Sequence, residues 1–454
     1  MNPLLNFLEK RFTIFSLIFF TEMLRFSSLY IDPDPKADAP PAYNPFDSLM
    51  SLFQHCIYAV TLLLLLARWK SSVRTALRFP LIWLLPVTAW ISFLWSDFSP
   101  WSLQKGIATL QTTYFGLYMA SRFDLKQQLK MLAWTLGIVA VFSLLFTLAL
   151  PGAAIEAGAN AGAWRGPFTQ KNLFARLMVL GAIVFLLLAL NSPKRGYWLW
   201  SGFGVSVLLI LLTGSKTALL LFLIVVILLP LYKALRWTDT KVVPLVITLL
   251  LVTGSIAVLV AGNWENILLS LGRDASLSGR TGLWELALEK ISEHPWLGYG
   301  YQGFWQEGGQ AEVIWKAEGY KPPHAHNGFI NITLDLGLIG LFLFLLTIAV
   351  IYLRAIPWLR SGKTTIELWP IFYVTFFFMY NHSENTIIAH NSIFWVLLVA
   401  VSLSMNRIRL LQPVELENNQ KIKSSLKSFR TSKLRTYKDG FNSKSRIRNS
   451  KLYD

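Results

Sequence analysis

The segment Pro322-Pro323-His324-Ala325-His326-Asn327-Gly328 sets two imidazoles where a long apolar run of helical character begins. A histidine at a helix start sits against the positive end of the macrodipole, which disfavours the imidazolium. A neutral imidazole so placed is a competent general base near physiological pH. His326, at the start of the run, is the better placed of the two. Spacing speaks against a metal. The pair is two residues apart, closer than the i, i+4 pair that grips zinc on a helix, and no third ligand lies nearby in the sequence. Taken alone, either histidine also reads as a hydrogen-bonded interface residue.

Anion chemistry has its own candidates. Ser278-Gly279-Arg280-Thr281-Gly282-Leu283-Trp284 opens a helical pattern in which Leu283, Trp284, Ala287, Leu288 and Ile291 share a face, and Pro295 ends it. Arg280 then falls in the first turn, where a cation opposes the helix dipole. Either it is an exposed arginine at a small cost, or it and the free backbone N–H groups bind a phosphate together. Pro295-Trp296-Leu297-Gly298-Tyr299-Gly300-Tyr301, with Phe304, Trp305, Trp315 and Tyr320 beyond, supplies tight turns and flat aromatic surfaces suited to sugar rings. An interfacial aromatic belt has the same composition. Two further basic segments are Arg165-Gly166-Pro167-Phe168-Thr169-Gln170-Lys171-Asn172 and Gly214-Ser215-Lys216-Thr217. Each lysine alone could simply snorkel; together with Arg280 they would make a strong anion site. Glu384, in Asn381-His382-Ser383-Glu384-Asn385, could hold one of these cations or be solvated. Asp32-Pro33-Asp34 reads as an acidic solvated loop.

The elements that must position these residues are membrane spans. Of 454 residues, 54% are hydrophobic and 15% charged, with a mean hydropathy of +0.46. Soluble domains carry about a quarter charged residues, so lipid has to be the solvent here. Apolar runs long enough to cross a bilayer begin near Phe12, Leu49, Phe79, Leu103, Met131, Lys171, Tyr197, Lys216, Val242, His326, Ile366 and Thr386. These predict an all-α polytopic protein of about twelve transmembrane helices. The first is interrupted by Glu22 and Arg25 and reads as a retained span rather than a cleaved signal peptide. Every even exit is basic: Arg68 to Arg78, then Arg122 to Lys130, Lys194-Arg195, Lys233 to Lys241, Arg354 to Lys363, and the tail. The odd exits carry Asp32 to Asp47, Asp97 and Glu384. This alternation predicts cytoplasmic even exits and cytoplasmic termini. A membrane domain over 1–406 then has one large outer loop, 262–323, that carries short helices. The basic tail 407–454 is expected to be disordered or to lie on anionic lipid. The +17 charge thus orients spans and does not bind nucleic acid. The lone Cys56 forms no intramolecular disulfide.

In order, the motifs resemble those of the O-antigen ligase and polysaccharide polymerase family. The matching pieces are Trp95-Ser96-Asp97 with Pro100, Gly166 to Thr169 with Lys171-Asn172, Thr213 to Lys216, Gly279-Arg280 with Trp284, Pro295 to Gly300, and Glu384. The most specific is His326-Asn327 followed, nine residues on, by Gly337-Leu338-Ile339-Gly340. The resemblance implies a glycosyltransferase C-like membrane fold in the bacterial inner membrane. It also implies metal-independent, inverting transfer on the periplasmic side, with no cofactor. The donor would be a glycan on undecaprenyl diphosphate. The acceptor would be a sugar hydroxyl, on another lipid-linked repeat unit in polymerases or on lipid A-core in ligases. His326 matches the family's essential histidine, as base toward the acceptor, and Arg280 its loop arginine, on the diphosphate. Lys216 stands where an arginine is common and loses the bidentate fork. Lys171, Arg165, His324, Asn327, Glu384, Trp284 and Tyr299 complete the expected donor and glycan contacts. The His324-to-Phe329 segment looks closer to exopolysaccharide polymerases than to ligases. A flippase or secondary transporter is the reading from another class. It would call for charged or Gly/Pro-broken midspan helices.

Overall fold

A computed structural model describes residues 3–30, 44–192, 196–242, 244 and 280–405. Among the described residues ten α-helices precede position 245. They are α1 (Pro3–Phe19), α2 (Asp47–Ala67), α3 (Trp69–Ala76), α4 (Leu81–Ile91), α5 (Ser99–Arg122), α6 (Leu125–Ala149), the one-turn α7 (Pro151–Ala154), α8 (Lys171–Asn191), α9 (Tyr197–Leu212) and α10 (Lys216–Ala234). Then come α11 (Arg280–Glu293), α12 (Glu312–Glu318), α13 (Gly328–Ser361), α14 (Trp369–Tyr380) and α15 (Ile393–Ser404). Among the described residues no strand forms; the one β contact is an isolated bridge, Ile155 with Trp164.

Five of these helices are long and apolar enough to cross a membrane, and seven if two bent pairs each count as one span. The chain is thus an all-α membrane protein. Several expected span starts shift, the fifth from Met131 to Leu125 among them. The first helix begins at Pro3 rather than Phe12, and it breaks after Phe19. The eleventh begins as a 3-10 turn at Thr365 before α14. The twelfth begins at Ile393 rather than Thr386. Ile388 and Asn391 adopt left-handed backbone there (φ 47 and 55), which a helix cannot include. The ninth expected span, the start of the large loop and the basic tail lie outside the described residues.

The centre is built on α8, α15 and α5. α8 and α15 are apolar nearly all round and bury most of their length, as a helix without a polar face must. α5 is more polar, yet its threonines are buried and satisfied. Thr112 bonds Tyr58 (2.8 Å) and accepts the Asn391 amide (2.9 Å), while Thr113 accepts Trp395 Nε1 (2.9 Å). These bonds hold a weakly apolar segment inside the bundle. At one end Glu9 of α1 is buried between Arg68, just past α2, and Arg122, the last residue of α5. That carboxylate fixes the start of α1 beside the ends of α2 and α5.

α13 is two helices. Gly337 has φ 66, ψ −167, so the helical path stops there and resumes at once. The Pro295-to-Tyr299 segment fills the break. Leu338 N donates to Pro295 O (2.7 Å), Ile339 N to Trp296 O (3.4 Å), and Tyr299 N to Leu334 O (2.8 Å). The Gly337-to-Gly340 motif and the Pro295-to-Gly300 motif are therefore the two sides of one joint. Only glycine fits at 337: a Cβ there would lie 2.1 Å from Trp296 O.

Candidate functional site

The histidine segment is held in place by backbone chemistry. Asn327, not His326, is the N-cap of α13; its Oδ1 accepts from Phe329 N (2.9 Å) and Ile330 N (3.3 Å). His326 stands just outside the helix with φ 48, which corrects the expectation that it begins the helix. Its amide donates to His324 Nδ1 (3.1 Å), and the two rings lie 4.4 Å apart. Asn331 Oδ1 accepts from Trp305 Nε1 (2.9 Å) and from Ala325 N (3.4 Å), pinning the segment from below.

Glu384 meets these histidines. One ligand atom each of His324, His326 and Glu384 lie within 4.8 Å of one another. The third ligand that the sequence lacks nearby is thus supplied by the connection between α14 and α15. Such a trio fits a metal with bonds of about 2 Å, and equally a histidine–carboxylate proton relay. Glu384 is 4% exposed, on a turn closed by Asn381. Asn381 Oδ1 accepts from Thr386 N (2.8 Å), and Asn381 O accepts from Gly328 N (2.7 Å). The second of these bonds joins the Glu384 turn directly to the first residue of α13.

The two basic segments arrive at the same place. Asn172 Nδ2 donates to Glu384 Oε1 (3.4 Å), and Asn172 Oδ1 accepts from Ser215 Oγ (2.9 Å). Ser215 is also the N-cap of α10, whose first residue is Lys216. Lys171, beside Asn172, opens α8, and its amide donates to Glu156 Oε1 (2.6 Å). Two helix N-termini and two lysines thus flank the Glu384 turn. Arg165 is 2% exposed and reaches the carbonyls of Ala153 (2.9 Å), Ser28 (3.4 Å) and Thr169 (3.5 Å), so it braces the loop that leads into α8.

The loop helix α11 begins at Arg280, whose side chain lies outside the described residues. One turn on, Trp284 Nε1 donates to Ala325 O (2.8 Å), next to His326. The start of α11 is therefore docked on the histidine segment. Leu283 and Ala287 bury as expected in a small second core with Tyr299, Phe304 and Ile314, whereas Leu288 is 56% exposed. Tyr299 spends its hydroxyl on Lys290 O (2.8 Å) and Glu293 Oε2 (3.2 Å). Burial pushes its phenol above the usual range, and the Lys290 hydrogen bond holds the Glu293 carboxyl below its own. The Tyr299 ring packs inside this core, whereas Trp296 and Tyr320 are left exposed.

Three residues escaped the sequence reading. Arg176 lies one turn past Asn172 on α8, its guanidinium 4.8 Å from the Phe394 ring centre. Asn381 was visible only as part of the Glu384 motif. His390 lies between Lys105 Nζ (3.4 Å from its Nε2) and Gln302 Nε2 (3.2 Å from its Nδ1). Burial first, then Lys105 and Arg25, push His390 down to about 3. The i, i+4 spacing of Asn172 and Arg176 is the one signal that could have flagged any of them.

Residues 201–345 match the family model described as O-antigen ligase. That stretch contains Lys216, Arg280, Trp284, Tyr299, His324, His326 and Asn327. The chain is 26% identical over 332 residues to the exopolysaccharide production protein ExoQ of Rhizobium meliloti, covering 69% of this chain and 74% of that protein. It is 30% identical over 125 residues to a Rickettsia conorii protein whose name includes the words polysaccharide ligase, covering 23% of this chain and 30% of that one. The resemblance carried by the motifs therefore holds, and this chain bears an O-antigen ligase family segment across residues 201–345.

Proposed function

We propose that this protein is a glycosyltransferase of the bacterial inner membrane that polymerises lipid-linked repeat units of an exopolysaccharide or O-antigen. The donor is a glycan on undecaprenyl diphosphate and the site faces the periplasm. One observation carries the reading: His324, His326 and Glu384 converge beside the N-termini of α8 and α10 and against α11. The acceptor is a sugar hydroxyl whose oxygen attacks the anomeric carbon. Its proton passes to His326 as the bond from that carbon to the diphosphate oxygen breaks. A single displacement of this kind inverts the anomeric centre. The electron pair leaves on the diphosphate, where Arg280, Lys216, Lys171 and the positive ends of the α8 and α10 dipoles favour developing negative charge. Glu384 holds the protonated imidazole, His324 and Asn327 orient it, and Trp284 fixes the arginine helix against it. Arg165 positions the α8 entry, and Tyr299 the loop core.

Twelve spans with cytoplasmic termini belong to the same proposal. The Glu9 contacts support it, since they gather Arg68 and Arg122, two basic even exits, at one end. The long match to ExoQ favours polymerisation. Transfer to lipid A-core as a ligase is the second reading, favoured by the ligase-named relative.

The test uses purified protein with a lipid-diphosphate donor and an acceptor glycan. His326→Ala is expected to abolish transfer and leave donor binding nearly unchanged. Arg280→Ala is expected to weaken both, by roughly 1.5–3 kcal/mol for a charge-assisted bond, with partial recovery in Arg280→Lys. EDTA is expected to leave the wild type active. Turnover retained in His326→Ala would sink the base assignment. Activity lost to EDTA and restored by a divalent ion would turn the trio into a metal site.

A further inference from the structure

At the far end of α1 and α6 from the histidine site lies a cavity of about 370 Å³ that the proposed reaction does not use. Positions 7, 10, 11 and 14 of α1 and 127, 130, 131 and 134 of α6 line it. On each helix these are i, i+3, i+4 and i+7, one stripe per helix. The stripes are graded. Lys10, Arg11 and Lys130 lie toward the helix starts; Ile14, Met131 and Trp134 lie deeper. Among the described residues no carboxylate lines it. The two acids nearest in sequence are already engaged. Glu9 is taken by Arg68 and Arg122, and Asp124 caps α6 by accepting from Gln127 N (2.8 Å). The deeper end is open, with Trp134 67% exposed; Phe7, 52% exposed, lies on the helix-start side of the cations.

We infer that this groove is a binding site for one anionic phospholipid, its phosphate among Lys10, Arg11 and Lys130 and an acyl chain along Met131 and Trp134. The grading matches such a molecule along its length. A cationic head region ends where an apolar wall begins, as the boundary between headgroup and hydrocarbon requires. A free phosphate would satisfy the cations and leave the apolar wall uncovered. A zwitterionic lipid would bring its own ammonium against three cations. The Arg11 guanidinium lies 5.0 Å from the Phe7 ring centre, which holds it at the groove's edge.

Native mass spectrometry of the full chain in detergent tests this, with phosphatidylglycerol and phosphatidylcholine of identical acyl chains as probes. Each cation at the surface favours an anionic lipid about fivefold. The wild type is therefore expected to retain phosphatidylglycerol over phosphatidylcholine by one to two orders of magnitude. The Lys10→Gln, Arg11→Gln, Lys130→Gln triple variant should bring that ratio close to unity. Lys130→Gln alone should lower it about fivefold, which keeps the test decisive if the triple variant does not fold. Lys70→Gln with Arg74→Gln, on α3 outside the groove, should leave it unchanged. A wild-type ratio near one, or an unchanged ratio in Lys130→Gln, overturns the inference. An equal loss in the α3 variant assigns the preference to general surface charge, and displacement of the lipid by glycerol 1-phosphate makes the ligand a free phosphate; either result also overturns it.

Discussion

Replacing Gly337 by alanine should separate the outer loop from the membrane helix. A Cβ at 337 would sit 2.1 Å from Trp296 O and 2.2 Å from Trp296 C. Both are backbone atoms, so no rotamer change relieves the clash. The φ of 66 costs a non-glycine residue roughly 1–2 kcal/mol. Relief requires the Pro295-to-Tyr299 segment to withdraw, which breaks its two short bonds, Leu338 N to Pro295 O and Tyr299 N to Leu334 O (2.7 and 2.8 Å). At about 1 kcal/mol net each, the joint is predicted to weaken by about 3–4 kcal/mol. Where opening is fast relative to cleavage, protease attack follows the open population. Trypsin cleavage at Lys316 should then rise on the order of 100-fold or more, and glycan transfer should fall with it. Gly204→Ala is the control, since a Cβ there meets nothing within 4 Å. A Gly337→Ala protein with wild-type cleavage and wild-type transfer would refute the joint as described.

Glu384→Gln keeps the shape of the side chain and its contact with Asn172 but removes the charge. Transfer is predicted to drop by about 1–2 kcal/mol, the difference between charged and neutral hydrogen bonds, with donor binding unchanged; an unaltered turnover would exclude Glu384 from the proton relay. Trp284→Phe keeps the apolar ring and loses one bond to Ala325 O (2.8 Å). A fall in turnover of roughly two- to twelvefold is predicted, and full activity would show that α11 needs no such anchor. Reporter fusions at Arg360 and Gln310 should read cytoplasm and periplasm respectively, and a cytoplasmic signal at Gln310 would overturn both the topology and the side assigned to the chemistry.

The sequence made legible which segments matter and left their meeting point hidden. Apolar runs and basic exits identified α2, α8 and α10 within a few residues of their ends, because burial in lipid leaves a strong compositional trace. Glu384, by contrast, lies 212 residues from Asn172, and no spacing rule relates them. Glu384 also lies far along the chain from His324 and His326, which hid the third member of the histidine cluster. The joint at Gly337 was legible as a motif and illegible as a structure. A glycine inside an apolar helix costs little to write, and only the carbonyl of Trp296 beside it reveals its purpose. The bracing role of Arg165 was not legible either: its guanidinium donates to the carbonyls of Ala153 and of Ser28, which no spacing rule relates to it.

The carboxylate of Glu9 sets an order of events during synthesis. Its two partners lie 59 and 113 residues further along the chain. α1 is therefore made before either partner, and at that stage its acid has neither of them to pair with. An unpaired carboxylate between apolar helices is costly, so α1 has no settled seat when it first enters the bilayer. It can lock only after Arg68 and then Arg122 have been delivered by the ends of α2 and α5. α1, made before both of its partners, thus seats late and does not nucleate the bundle. A nascent chain that has not yet completed α5 remains a loosely associated set of helices, still accessible to the insertion machinery.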